Sequence, residues 1–523
     1  RLSVGRVSQE LIEMSQRQDP RASRLTADAS RRKRETEALQ LRTRHREEAM
    51  VKRRLVDSSV TVTPIANVAE AIQNYTEQIH SDDEQLQAAG ANGFQQLLLD
   101  QRPPIDDIIN AGAVPRLLQF LSHTNEDIQY MSLWALTNIA AGKHEHTEYL
   151  VSQGAASQFV RMMGSARPRL REQACWALGN IAGDGATLRD EVLAAGAMQA
   201  VLEVLRPEHA KLSAVKTATW TMSNLCRGKP PPSFNEVKAA IPVAARLIYS
   251  LDKEIEVDAL WTLVFLSDGA DRKQEAVAAE TVCQRLVLLL RTNELAYLVP
   301  AVRTIGNLMS GDDQTTQKVI ENGALHALLP LLGHARSGVR KEACWSVSNV
   351  LAGNAQQIQA TIDAGLIPPI IQRLREDRVD IKREAAWCIA NAVSGANSKQ
   401  IIQFVDEMEI LPSLCGLLIE DDECLVDMTL DAIERVLQVG AKLAASSEDG
   451  LNPFVDPIEL ADGTSYLDEL QNHDSRKIFE KSKKILETYF EGVIEEEDAP
   501  ADQGQYGWGQ APQQQQGGFT GFP

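Results

Sequence analysis

The segment SLWALTNIAAG at 132–142 returns six times along the chain. It reappears as ACWALGNIAGD (174–184), ATWTMSNLCRG (218–228), ALWTLVFLSDG (259–269), AVRTIGNLMSG (301–311), ACWSVSNVLAG (343–353) and AAWCIANAVSG (385–395). Its third position is Trp134, Trp176, Trp220, Trp261, Arg303, Trp345 and Trp387, at intervals of 42, 44, 41, 42, 42 and 42 residues. A second marker keeps the same step: Gly112, Gly154 and Gly196 stand 42 apart, as do Gly323 and Gly365. A fixed period of this length means stacked supersecondary units, because one unit cannot bury its apolar face alone. It also explains how 523 residues can share one elongated core.

Within each unit Leu, Ile and Ala recur at helical spacing, and no run alternates with period two. A Gly-bounded apolar helix, a short turn and a longer helix at this period match armadillo or HEAT solenoids. The Gly after each Trp helix (Gly142, Gly183, Gly228, Gly269, Gly311, Gly353, Gly395) is expected to be a helix C-cap. Weaker units flank the clear ones, at about 66–107, 403–445 and 464–490. The fold class is therefore all-α.

The net charge of −19 hides a division. Residues 1–56 hold 15 Lys/Arg and 8 Asp/Glu, a charge of +7, which leaves −26 for the rest. An acidic body argues against nucleic acid as the main partner, since phosphate binding needs clustered Lys/Arg. No apolar stretch approaches the roughly 20 residues of a membrane span, and the first residues carry no apolar signal segment. Seven cysteines without a C-x-x-C pair fit neither a disulfide framework nor a zinc site, and point to a reducing compartment. Cys344 and Cys388 beside Trp are expected to be buried small hydrophobes. Low apolar content predicts disorder at both ends, 1–56 and 491–523.

Residues four apart on a helix share a face, so Trp134/Asn138, Trp176/Asn180, Trp220/Asn224, Trp345/Asn349 and Trp387/Asn391 are co-facial pairs. Any one pair could be core packing. Repetition argues otherwise, because Trp is hard to satisfy at a repeated core position and mid-helix Asn costs propensity. A row of carboxamides can instead bond the N–H and C=O groups of an extended peptide. Helix spacing of about 8–10 Å matches roughly three extended residues. Indole faces between the rungs form slots for long cationic side chains, at about 0.5–2 kcal/mol per cation–π contact. Asp184, Asp258, Asp268, Glu342 and Glu384 lie on or beside these helices and supply a negative rim. The implied ligand is an extended Lys/Arg-rich peptide. Phe265 for Asn and Arg303 for Trp interrupt the array and divide it into a larger and a smaller site.

These residues closely resemble importin-α, the armadillo-repeat adaptor of nuclear import, over nearly the whole chain from about Arg21. W-x-x-x-N with this interruption pattern is the specific signal, and YLDELQNHDSRKIFEKSKKILETYF (466–490) resembles the family's last repeat. The resemblance implies a right-handed superhelical solenoid of about ten armadillo repeats, spanning 57–490. It implies a major signal site in which Asp184, with the Gly142 carbonyl and Thr147, takes the most deeply bound lysine. Asn138, Asn180 and Asn224 would hold the signal backbone between Trp134, Trp176 and Trp220. In a minor site Glu342 and Glu384 would take basic residues beside Trp345, Trp387, Asn349 and Asn391. Arg303 and Asn307 would contact the ligand backbone and the linker of two-part signals.

The arm 1–56 resembles the family's importin-β-binding segment, through Arg31, Arg32, Lys33, Arg34, Arg42, Arg44, Arg46, Lys52, Arg53 and Arg54. The Lys52-Arg53-Arg54 cluster suits the groove and could occupy it in cis until importin-β captures the arm. Residues 1–20 depart from the family, and Leu55 stands where a polar residue is usual. The resemblance further implies cargo proteins with nuclear localisation signals, an export receptor at the C-terminal repeat, and shuttling between cytoplasm and nucleus. It implies no catalytic role, no metal and no other cofactor.

Two rival readings are weaker. An enzyme would need a phosphate loop or nucleophile elbow, and none is present. His144-Glu145-His146 lacks a third zinc ligand. An armadillo scaffold for acidic partners would need a basic groove, whereas carboxylates line this one.

Overall fold

The computed structural model describes residues 67–490, apart from 101, 207–210, 270–273, 275–276 and 448–449. The expectations for the basic arm 1–56 and the tail 491–523 lie outside the described residues. No strand occurs among the described residues. Ten helices form a continuous series: α1 (Glu84–Leu97), α2 (Glu126–Ala140), α3 (Pro168–Asp184), α4 (Leu212–Cys226), α5 (Lys253–Ser267), α6 (Leu295–Met309), α7 (Ser337–Leu351), α8 (Val379–Gly395), α9 (Glu423–Ala444) and α10 (Arg476–Tyr489). Each packs against the next, from α1 to α10.

Each clear unit contains one more helix than the periodicity suggests. Between α2 and α3 run two short helices, His144–Ser152 and Ala155–Met163. The first was hidden in the sequence by its shortness and mixed polarity. Its signal is a capping pair: Asn354 with Gln357, and Asn397 with Gln400, exchange backbone and side-chain bonds at the helix starts.

The longer helices start on equally local chemistry. The Asn125 side chain accepts the Asp127 and Ile128 N–H groups, and Asp252 does the same for Glu254 and Ile255. Burial then joins the units. One cluster of buried side chains runs from Ile72 to Phe490, with Phe159, Leu178 and Val192 fully enclosed. Each such side chain contributes about 1.5–3 kcal/mol by leaving water. Arginines tie successive units as well: Arg116 donates to the Ile79 carbonyl, Arg246 to Leu205 and Arg285 to Ile248. Among the described residues no cysteine forms a disulfide, and Cys344 and Cys388 are buried as expected. Burial pushes the Cys175, Cys344 and Cys415 thiols up to about 12.

The glycine expectation needs correction. Gly183 and Gly395 lie inside α3 and α8, and of the seven only Gly228 and Gly269 have positive φ. The others are there for space. A Cβ on Gly353 would stand 1.8 Å from Gln357 Oε1, and one on Gly142 2.5 Å from His146 Nδ1, so each makes room for the side chain that caps the next helix. The left-handed turn belongs to the second marker. Gly154 has φ +82° between the two short helices, a conformation that penalises any Cβ.

Candidate peptide-binding face

The Trp and Asn side chains share one face of α2–α8, and the Asn residues also fasten the units together. Asn138 Nδ2 donates to the Leu98 carbonyl at 3.2 Å, Asn180 to Thr137 at 3.2 Å and Asn224 to Gly179 at 3.0 Å. Asn307 donates to Val264 at 3.1 Å, Asn349 to Gly306 at 3.0 Å and Asn391 to Ser348 at 3.2 Å. From α3 onward the acceptor is always the residue just before the asparagine position of the preceding unit. Val264 fits this rule too, although Phe265 replaces the asparagine there.

This modifies the expectation that each carboxamide is wholly available to a peptide. One N–H of every Asn is committed to the fold, which is why a polar residue persists in mid-helix. The oxygen end differs: Asn224 Oδ1 is buried and has no hydrogen-bond partner. A buried acceptor in that state costs about 1–3 kcal/mol, so it favours a ligand bearing an N–H.

The indoles are placed by the same register. Trp134, Trp220, Trp345 and Trp387 are buried, while Trp176 and Trp261 are half-buried. A Cβ on Gly179 would lie 2.3 Å from Trp220 Cζ3, and one on Gly306 would lie 2.1 Å from Trp345 Cζ3. Thus each of these glycines provides the floor for the next unit's indole. The Trp176 and Trp220 rings are tilted together with centroids 6.2 Å apart. Trp134 Nε1 is buried without a partner, a second orphaned polar atom on this face.

The carboxylates fall into distinct surroundings. Asp184 ends α3, and its side chain is only 7% exposed. It accepts from His144 Nδ1 at 2.6 Å. The Thr147 hydroxyl donates to the Ala140 carbonyl at 3.1 Å. His144 and His146 do not converge: His146 Nε2 meets Asp106 Oδ1 at 2.8 Å instead. In the second half, Glu342 is not an isolated anion, because Arg303 reaches it through Nη2 at 2.5 Å and Nε at 3.2 Å. Burial works against the Arg303 charge, but Glu342 outweighs it and raises the guanidinium pKa. Arg303 therefore carries its own counter-ion in place of an indole, which sequence reasoning missed because the two lie 39 residues apart. Glu384 is half-buried, and Asp258 is buried on α5.

The sequence comparisons match the repeat architecture. Residues 101–141, 143–183, 188–227, 312–352 and 354–394 match the armadillo/beta-catenin-like repeat, and 452–503 match an atypical Arm repeat. The matched repeats leave out 228–311, where Phe265 and Arg303 break the pattern. Residues 21–92 match the importin beta binding domain, so that match continues past residue 56 into α1. Importin subunit alpha-1a of Oryza sativa subsp. japonica is 43% identical over 484 residues, covering 90% of this chain and 91% of that protein. Importin subunit alpha-B of Dictyostelium discoideum is 40% identical over 481 residues, with 90% and 93% covered. A crystal structure of an engineered protein superposes with TM-score 0.69 at 23% identity, over 80% of this chain and 98% of that one, a likeness of fold alone.

Proposed function

The chain belongs to the importin-α family, and from that premise we propose how its armadillo solenoid performs the adaptor's task in nuclear import. Cargo signals rich in Lys and Arg lie extended along the α2–α4 face, with a second, smaller site on α6–α8. Asp184 receives the most deeply bound lysine beside Gly142 and Thr147. Asn138, Asn180 and Asn224 hold the peptide backbone between Trp134, Trp176 and Trp220. At the smaller site Glu384, Trp345, Trp387, Asn349 and Asn391 take a shorter basic stretch, with Glu342 shared between cargo and Arg303. Asn307 and Arg303 meet the linker of two-part signals.

The observation that carries this reading is Asn224 Oδ1, a buried acceptor without a hydrogen-bond partner, on a residue whose amide nitrogen already donates to the Gly179 carbonyl. An extended peptide supplies the missing N–H. Importin-β captures the arm through its basic residues, from Arg31 to Arg54, and so frees the groove from Lys52, Arg53 and Arg54. The C-terminal units offer a surface to an export receptor that returns the adaptor, so the protein shuttles between cytoplasm and nucleus.

A fluorescence anisotropy titration tests the scheme. A labelled Lys-rich peptide is expected to bind residues 57–523 tightly and the whole chain more weakly until importin-β is added. Equal, weak binding of basic and neutral peptides would sink it. D184K is expected to weaken major-site binding by roughly a hundredfold, because a like charge then occupies the lysine pocket.

A further inference from the structure

We propose that the starts of α7 and α8 form a second interaction surface, opposite in charge to the peptide groove, which takes an acidic, extended segment of a partner protein. Arg336 stands at the N-cap of α7 and Arg378 at the N-cap of α8, 42 residues and one unit apart. Neither side chain caps its helix, because a guanidinium has no acceptor. Asn125, Asp252 and Asp422 occupy the same place in other units and do cap theirs. An N-cap acceptor contributes about 1 kcal/mol, and two successive units forgo it. α3 and α4 also begin on cations, but Arg167 is held by Glu126 at 3.0 Å, and the unit after Lys211 begins on Asp252.

The two arginines flank one spot. Arg340 donates to the His334 and Ala335 carbonyls at 2.8 and 3.3 Å and, through its other nitrogens, to Asp377 at 2.6 and 2.7 Å. That bridge sets the turn before Arg336 against the turn before Arg378. Arg373 also bonds Asp377, while Lys341 and Arg378 approach Asp380 at 3.6 and 3.5 Å. Glu376 accepts from Gln372, and Arg375 donates to the Ser413 hydroxyl at 3.4 Å. Six cations thus meet three carboxylates, a local excess of positive charge in a chain of net charge −19. Arg336, Arg375 and Arg378 are exposed, and Val379, 83% exposed, adds an apolar contact among them.

Trp345 and Trp387 lie nine residues further along these helices, about 14 Å away, so the groove and this edge are separate faces. A Lys-rich signal is repelled at the edge, whereas an arginine fork takes a carboxylate bidentately. Helix spacing of about 8–10 Å spans roughly three extended residues. The surface therefore fits carboxylates at the first and fourth positions of an extended segment, with an apolar residue between them. A nucleic-acid strand carries a phosphate at every step and would set some against Asp380 and Glu376, both exposed. A peptide places its carboxylates singly and avoids them.

The test uses the whole chain and a labelled acidic peptide in which glutamates flank a benzophenone-bearing residue. Photocapture followed by mass spectrometry reads where the peptide lies, which separates this surface from the basic arm. Capture is expected at and around Val379, and is expected to fall about tenfold in R336E/R378E. Thermal unfolding of that variant should match the parent's, because both side chains are exposed. V379S is expected to reduce capture about twofold. Capture confined to residues 1–56, or unchanged in R336E/R378E, overturns the proposal. So does equal competition by a single-stranded oligonucleotide of the same charge, which would assign the surface to nucleic acid instead.

Discussion

At Asn224 the amide nitrogen reaches back to the Gly179 carbonyl while the oxygen has no partner. Substitution should separate these two ends. N224D retains an acceptor but sets a carboxylate against a carbonyl oxygen. It is expected to lower stability by about 1–3 kcal/mol, while retaining more peptide affinity than N224A, as urea unfolding and anisotropy would show. G179A probes the floor beneath the indole. A Cβ there meets Trp220 at 2.3 Å, so the expected cost is about 1–3 kcal/mol of overpacking, with a shifted tryptophan emission. The sequence displayed the Trp and Asn rows plainly, because identity and spacing carry them. The backward hydrogen bonds were not legible, since their acceptors are main-chain carbonyls of Leu98, Thr137, Val264 and others with no common side chain.

At the level of helices, Asp377 joins α7 to α8. It follows the helix Ile367–Glu376 and receives Arg340 as a fork, at 2.6 and 2.7 Å, with Arg373 at 3.1 Å. The Arg340 bonds hold its carboxyl well below the usual carboxylate range. Because the folded state lowers this pKa, the stabilisation is fully present above the unfolded value of about 4. It is lost as pH falls from there toward the lower folded value. D377N should therefore unfold with a weaker acid dependence below about pH 4, and at neutral pH should lose about 3 kcal/mol by leaving Arg340 without its anion. Circular dichroism against pH for both proteins checks the sign. Helix count was the poorer part of the reading from sequence: periodicity identified the long helices α2–α8, but the short first helix of each unit shows only in caps such as Asn354 with Gln357. Likewise the Gly set read as caps was mostly a spacing device, while the true turn signal lay in the Gly154 series.

Across the whole molecule, the stack ends on charge. Lys477 and Lys481 meet Asp427 at 2.6 and 2.8 Å, Lys481 also meets Asp431, and Lys484 meets Glu434 at 2.7 Å, all between α9 and α10. Asp427 is buried, but Lys477, Lys484 and Asp431 are exposed, and pairs with an exposed partner weaken as the screening length shrinks to about 3 Å at 1 M salt. Hydrogen exchange in α10 is expected to accelerate from 50 mM to 1 M salt more than in α3, whereas equal responses would assign the end unit's hold to its apolar contacts. Period alone was enough to foresee some ten units, because every one repeats the same burial problem. The pairing of the last two helices, α9 and α10, could not be foreseen, since it rests on charges about 50 residues apart. One missing bond has a mechanical consequence. Every asparagine from α2 to α8 stitches its helix to the one before, but Phe265 drops the stitch between α4 and α5. The stack therefore has a joint at its middle, where changing the spacing between the two halves breaks no carboxamide bond.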